Sequence, residues 1–298
     1  MYEDFFGLKE NPFHVTPDPE FLFMSRTHKD ALNHLVYGLQ MRKGFIALIG
    51  EVGTGKTTLY RFLLRELGPM YPTAVVLNPL LTGKQLLTSV LRDFGVPVKT
   101  PASSLETLCD KLNQFLKRKN EEQKIPVLVV DEAHELSPSL LELLRVLSNF
   151  ETNEQKLLQI LLVGQPELLQ KLGSPGLRQL NQRINVRYFL EKLEKLEISR
   201  YIEHRLAVAG GKGNVLFTRG ALRMVFKSSH GTPRLVNQIC DRALLSAFVN
   251  EAWLVTRRQV KEATRSLVGG CKLSPFSVLG SFDGTTGASS AIRRIRFS

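Results

Sequence analysis

Gly50-Glu51-Val52-Gly53-Thr54-Gly55-Lys56-Thr57 matches the pattern G-x-x-x-x-G-K-[ST] at every fixed position, and the text on either side of it decides the fold. Upstream, Gly44-Phe45-Ile46-Ala47-Leu48-Ile49 is a short apolar run suited to a buried parallel strand. Downstream, residues 58 to 67 have helical spacing. Strand, glycine loop and helix together aim a row of backbone N–H groups at one point, at the positive end of a helix dipole, and a polyphosphate is the natural occupant. Gly50, Gly53 and Gly55 permit the turn and the close approach, and Glu51, Val52, Thr54 and Thr58 complete the contacting set. Lys56 is placed to reach β- and γ-phosphates, and the Thr57 hydroxyl to join a Mg²⁺ shell.

Four further apolar runs read as strands: residues 73 to 77, 125 to 130, 157 to 163 and 184 to 190. Helical patterns lie between them, at 82 to 94, 104 to 119, 139 to 150 and 166 to 172. Regular alternation of this kind predicts an α/β fold with a five-stranded parallel sheet covered by helices on both faces. After Leu190 the strand signal stops, and helical patterns at 195 to 209, 218 to 229, 233 to 250 and 257 to 268 predict a small all-α lid domain. The expected division is a lead-in segment at 1–40, an α/β nucleotide-binding core at 41–190, the helical lid at 191–268 and a flexible basic tail at 269–298. The lead-in is punctuated by Asn11-Pro12-Phe13 and Pro17-Asp18-Pro19 before a helical pattern through Ala31, Leu35 and Leu39, and is expected to fold over the base of a nucleotide.

Val127-Leu128-Val129-Val130 runs straight into Asp131-Glu132, which places two carboxylates at the C-terminal edge of the sheet, where ligands of such folds bind. Asp131 is suited to the Mg²⁺ shell and Glu132 to orienting and deprotonating an attacking water. His134, one turn on, reads as a structural or coupling residue. Asn78 ends the second strand, where its amide either hydrogen-bonds a neighbouring carboxylate such as Glu132 or marks a plain Asn-Pro turn. Gln165 ends the fourth strand beside the expected γ-phosphate position. Arg178 and Arg183 precede the fifth, where an arginine would reach a neighbouring subunit's triphosphate; Arg183 is preferred because it abuts the strand. Arg234, at the start of a lid helix in Gly231-Thr232-Pro233-Arg234, either reports the γ-phosphate or is an ordinary first-turn arginine.

Composition excludes several classes. At 298 residues, 43% apolar and 23% charged, the chain is of globular type and long enough for about two domains. No run reaches the roughly 18 apolar residues of a membrane span, and Met1-Tyr2-Glu3-Asp4-Phe5-Phe6 lacks the basic and apolar regions of a secretory signal, so the expected location is cytoplasmic. Cys109, Cys240 and Cys271 are far apart and outside metal spacing, which indicates neither a disulfide framework nor a zinc site. The net charge is +12, and its excess is confined to one part: residues 177 to 298 hold 21 Lys/Arg against 8 Asp/Glu, while residues 1 to 176 hold 19 against 20. Such a block suits nucleic acid, a phosphate-bearing ligand or an anionic membrane face, or simply a solvated basic surface.

Taken with the loop and the Asp-Glu strand, four stretches carry a family resemblance: Asn11-Pro12-Phe13 with Pro17-Asp18-Pro19-Glu20-Phe21-Leu22-Phe23, Val163-Gly164-Gln165-Pro166-Glu167-Leu168, Arg178-Gln179-Leu180-Asn181-Gln182-Arg183-Ile184, and Cys240-Asp241-Arg242-Ala243-Leu244-Leu245. The chain resembles AAA+ P-loop ATPases, and within them the general secretion pathway protein A group, over about residues 1 to 268. That resemblance implies ATP and Mg²⁺ as cofactors, a site between subunits, and assembly of the protein with itself into a ring or filament. The members best known help build secretion or pilus machinery in bacterial envelopes, with a membrane span and a wall-binding domain after the ATPase part; neither is read here. Two functions are therefore expected: an ATPase that couples its nucleotide state to envelope assembly proteins, or a DNA-binding ATPase that binds duplex DNA and recruits a transposase.

Overall fold

Phe45–Ile49 forms a strand (β1) whose five residues are all buried, as a strand covered on both faces must be. Its alternate side chains enter two different clusters. Phe45, Ala47 and Ile49 join the larger one, while Ile46 and Leu48 join the one on the opposite face. In the computed structural model, which describes residues 2–98, 104–213 and 215–268, four more strands run parallel to it: Thr73–Val76 (β2), Val127–Val130 (β3), Gln159–Gly164 (β4) and Ile184–Phe189 (β5). Their order is β2-β3-β4-β1-β5, so the five predicted runs form the one five-stranded parallel sheet expected.

The chain begins with a short helix, Tyr2–Phe6 (α1), then Arg26–Gln40 (α2), which lies along the β1 and β5 side. Lys56–Leu67 (α3) follows the glycine loop and packs with α2 on one sheet face through Leu35, Leu39, Leu59 and Leu63. Gly83–Asp93 (α4), Leu105–Glu121 (α5), Pro138–Leu147 (α6), Glu167–Leu172 (α7) and Arg178–Arg183 (α8) cover the other face. Capping explains their starts: Thr82 and Gln85 close a capping box on α4, and Ser104 and Ser137 accept N–H groups at α5 and α6.

Beyond the sheet come Glu197–Val208 (α9), a two-residue strand Leu216–Phe217 (β6), Arg219–Ser229 (α10), Pro233–Val249 (α11), a second two-residue strand Leu254–Val255 (β7) and Arg257–Val268 (α12). The expected all-helical lid thus carries a small parallel ladder, β6 with β7. Two residues are too few to show a period of two, so no alternation announced it.

The lead-in does not stand alone. Tyr2, Phe6, Leu8, Phe13 and Phe21 are buried in the same apolar cluster as α9 to α12. Polar bonds reinforce this: Tyr2 Oη and Asn11 Nδ2 both donate to Asp241 Oδ1, at 2.5 and 3.0 Å. Arg205, only 6% exposed, donates Nε to the Pro12 carbonyl and Nη2 to that of His14, with its guanidinium 4.6 Å from the Phe21 ring centre. Cys240 is buried and Cys109 half-buried, both as free thiols, whereas Cys271 and the expected basic tail lie outside the described residues.

Candidate nucleotide site

At the C-terminal edge of the sheet β1, β3 and β4 are neighbours, and each ends in a residue singled out above: the glycine loop after β1, Asp131 and Glu132 after β3, Gln165 after β4. The loop closes on itself. Lys56, buried at 7% exposure, donates Nζ to the Gly50 carbonyl at 2.8 Å and the Glu51 carbonyl at 3.0 Å, and the Thr54 hydroxyl donates to Glu51 O at 2.9 Å. Burial holds the Lys56 ammonium below the usual lysine range, partly offset by the Glu132, Asp131 and Glu51 carboxylates.

Two glycines are dictated by neighbours as well as by conformation. Gly53 has φ +78°, and a Cβ there would lie 2.7 Å from Arg234 Cβ; Gly55 has φ +100° and would come within 3.0 Å of His28 Nε2. His28 thus supports the loop from behind. Its Nδ1 pairs with Ser25 Oγ at 2.7 Å, its ring bonds the Thr54 carbonyl, and burial lowers its pKa to about 4, keeping it neutral.

Across the cleft Thr57 Oγ1 donates to Asp131 Oδ2 at 3.1 Å, and the other Asp131 oxygen accepts Glu132 N at 2.9 Å. This hydroxyl and carboxylate are oxygen donors of the kind that suits a Mg²⁺ bound largely through phosphate and water. Glu132 adopts the left-handed conformation, φ 50° and ψ 39°, uncommon for a residue with a side chain, and its carboxylate lines the cleft about half exposed. Gln165 also lines the cleft, with its amide nitrogen 2.9 Å from His134 Nε2.

The cleft has a volume of about 360 Å³ and is walled by the loop from Val52 to Thr58, by lead-in residues His14 to Asp18 and Phe21 to Phe23, and by Tyr201, Arg205, Arg234 and Asn237 of the lid. The lid touches the loop directly, since Arg234 N donates to the Gly53 carbonyl at 3.2 Å. Asn237 Nδ2 donates to His14 O at 3.4 Å and Tyr201 Oη to Asn237 Oδ1 at 2.7 Å. Sequence reasoning missed His28, Tyr201, Arg205 and Asn237. Only distance in space relates them to the loop.

Two of the candidate side chains bond away from the cleft. Asn78 Oδ1 accepts Leu80 N at 2.9 Å, so its side chain closes its own turn, and among the described residues it makes no bond to Glu132. Arg183 does abut β5, but its guanidinium folds back to the end of α6, donating Nη1 to Arg145 O at 3.3 Å, Ser148 Oγ at 2.9 Å and Asn149 Oδ1. Spare carbonyls at a helix C-terminus attract a cation, which explains the pull. Arg178 is exposed and has no hydrogen-bond or ion-pair partner among the described residues.

A P-loop, an acidic strand end and a 2-3-4-1-5 parallel sheet followed by a helical lid define an AAA-type nucleotide-binding protein. Residues 39–172 match the AAA domain family. The chain belongs with general secretion pathway protein A: it is 45% identical to that protein of Aeromonas hydrophila over 269 residues, which is 90% of this chain and 49% of the relative. The resemblance seen in the motifs is thereby borne out, and the chain spans about half the length of the curated relative it matches. Among solved structures it is similar to Cdc6p from Pyrobaculum aerophilum, at a TM-score of 0.66 and 17% identity over 91% of this chain and 73% of that one. It is likewise similar to the Aeropyrum pernix ORC2 protein, at 0.65 and 19% over 86% and 71%. These likenesses support the fold. No helix among the described residues is long and apolar enough to cross a membrane.

Proposed function

We propose that the protein is an ATPase that binds ATP and Mg²⁺ in this cleft and couples the nucleotide state to the assembly of a secretion or envelope machine. The observation that carries the reading is the Glu132 carboxylate standing in the cleft beside the bonded pair Thr57–Asp131 and the buried Lys56. Thr57 and Asp131 would hold the metal, which would supply positive charge against that developing on the phosphate oxygens. Lys56 exchanges its two loop carbonyls for β- and γ-phosphate oxygens, Glu132 takes the proton of the attacking water, Gln165 orients that water, and Arg234 carries the nucleotide state into the lid.

The division into core (41–190) and lid (191–268) follows, with the lead-in (1–40) shared between them: Tyr2, Phe6, Leu8, Phe13 and Phe21 join the lid cluster, while α2 packs on the core sheet. Self-assembly completes the site through an arginine supplied by a neighbour. Arg178 takes that part in place of Arg183, because its guanidinium has no partner among the described residues while that of Arg183 is engaged within its own subunit. The secretion assignment rests on the name of the Aeromonas relative. The transposition reading gains nothing from that relative, and the solved structures, at 17 and 19% identity, are too distant to carry a ligand.

Replacing the protein in its host by the Lys56→Ala form tests the coupling. Export or envelope assembly should stop while the protein level stays unchanged; normal export would overturn the assignment.

A further inference from the structure

His134 stands between the two strand ends that the proposed chemistry uses. It lies in the short 3-10 turn Ala133–Glu135 after β3, is 9% exposed, and its backbone N is 3.4 Å from where a Cβ on Gly164 would sit, at the end of β4. Lys171 Nζ fixes the turn by donating to the carbonyls of His134 and Leu136, the latter at 2.9 Å. The ring is therefore held, and each of its nitrogens faces a residue of the site.

On one side Nε2 is 2.9 Å from the Gln165 amide nitrogen. An amide N–H₂ only donates, so Nε2 accepts, and the neutral ring carries its proton on Nδ1. On the other side Nδ1 faces Glu132 Oε2 at 3.4 Å, within ion-pair distance but short of a completed hydrogen bond, and Nδ1 is a buried polar atom that no other group satisfies. Glu135 Oε1 is 3.3 Å from Nε2, yet its side chain is 60% exposed, so solvent screens it and the amide contact decides the tautomer. Among the described residues no other side chain comes within ion-pair distance of the Glu132 carboxylate, and Asn78, the other candidate to hold it, is occupied by its own turn.

We propose that His134 is the positioning residue of this site, holding the Glu132 carboxylate through Nδ1–H and taking its own orientation from the Gln165 amide at Nε2. Closing the remaining gap on Nδ1 satisfies a buried donor and fixes a carboxylate whose left-handed backbone already aims it into the cleft. Gln165 has a second amide proton, free to face the cleft, so one side chain ties the orientation of the water to that of its base. The proposal rests on Glu132 acting as the base of an ATPase.

Amide substitutions separate the two nitrogens. Asparagine places an N–H where Nδ1 was, and glutamine places its amide where Nε2 was. With kcat and KM for ATP measured at saturating Mg²⁺, His134→Ala should lower kcat by about 100-fold, the cost of a misplaced catalytic group, and leave KM and ATP affinity within about twofold. His134→Asn should recover most of the loss and His134→Gln little of it. The double variant Glu132→Gln/His134→Ala should be no slower than Glu132→Gln alone. Equal kcat for His134→Ala and an active wild type overturns the proposal, as does recovery by glutamine but not asparagine, or additive losses in the double variant. Should the alanine variant not fold, the asparagine and glutamine forms decide by the same ranking. A wild type with no turnover at any protein concentration instead removes the ATPase reading, a different failure from an active wild type that ignores His134.

Discussion

Thr57 Oγ1 and Asp131 Oδ2 are joined by a 3.1 Å hydrogen bond that spans the gap between the first turn of α3 and the end of β3, residues 74 apart in the chain. It ties the glycine loop directly to the acidic strand end. Thr57→Ala removes the hydroxyl from that pair without disturbing the loop glycines. ATP affinity in EDTA should be unchanged and the gain in affinity on adding Mg²⁺ should shrink about tenfold or more, as measured by calorimetric titration.

Arg178 and Arg183 should separate cleanly. Arg183→Ala deletes hydrogen bonds from a cation to the end of α6 and should lower unfolding free energy by about 1 to 3 kcal/mol, read from urea midpoints. Arg178→Ala should leave the midpoint unmoved and bind ATP normally. Turnover that rises with protein concentration in the wild type should stay flat in Arg178→Ala. If Arg183→Ala alone shows the flat profile, the stability difference does not identify the acting arginine.

Most of the sheet was legible because buried parallel strands are continuous apolar runs and each is bounded by Gly, Pro or charge, as at Gly44 and Glu51 around β1. The site followed from it, since Asp131, Glu132 and Gln165 stand directly after such runs. What was not legible depends on long-range contact. Tyr2 meets Asp241 across 239 residues, and Arg205 meets Pro12 across 193, so the start of the lead-in, up to Phe21, reads as irregular text although it is part of the lid core. Arg183 shows a related limit: its position beside β5 was readable, but the pull of the α6 carbonyls on its guanidinium was not. α3 begins at Lys56, two residues before its apolar spacing starts, because the cradle and the helix N-terminus are the same residues.

Arg205→Ala should uncouple the lead-in from the lid. The side chain is buried, bonds two lead-in carbonyls and covers Phe21, so its loss leaves the buried Pro12 carbonyl unpaired, with that of His14 kept only by Asn237, and should cost about 2 to 4 kcal/mol. Because Arg205 and His14 both line the cleft, ATP affinity should fall as well. Denaturant titration with and without ATP measures both, and a variant as stable as the wild type would contradict the clamp.

His28 makes stability depend on pH with a definite sign. Its folded pKa, about 4, lies below the usual histidine value of 6.5, so between those values the unfolded chain binds more protons and stability rises with pH. The contribution is complete above about pH 6.5 and is lost as pH falls towards 4, on the order of 3 kcal/mol in all. Urea midpoints at pH 7 and pH 5 should differ more for the wild type than for His28→Gln. Equal differences would show that the histidine is not held neutral behind Gly55.

Phosphate release by purified wild type and Glu132→Gln, each also titrated with ATP, tests the central claim most directly. The wild type should turn over ATP in Mg²⁺, and Glu132→Gln should bind ATP as tightly while turnover falls at least about 100-fold, the share of a general base. Undiminished phosphate release by Glu132→Gln, with an active wild type, would contradict the assignment of the carboxylate in the cleft.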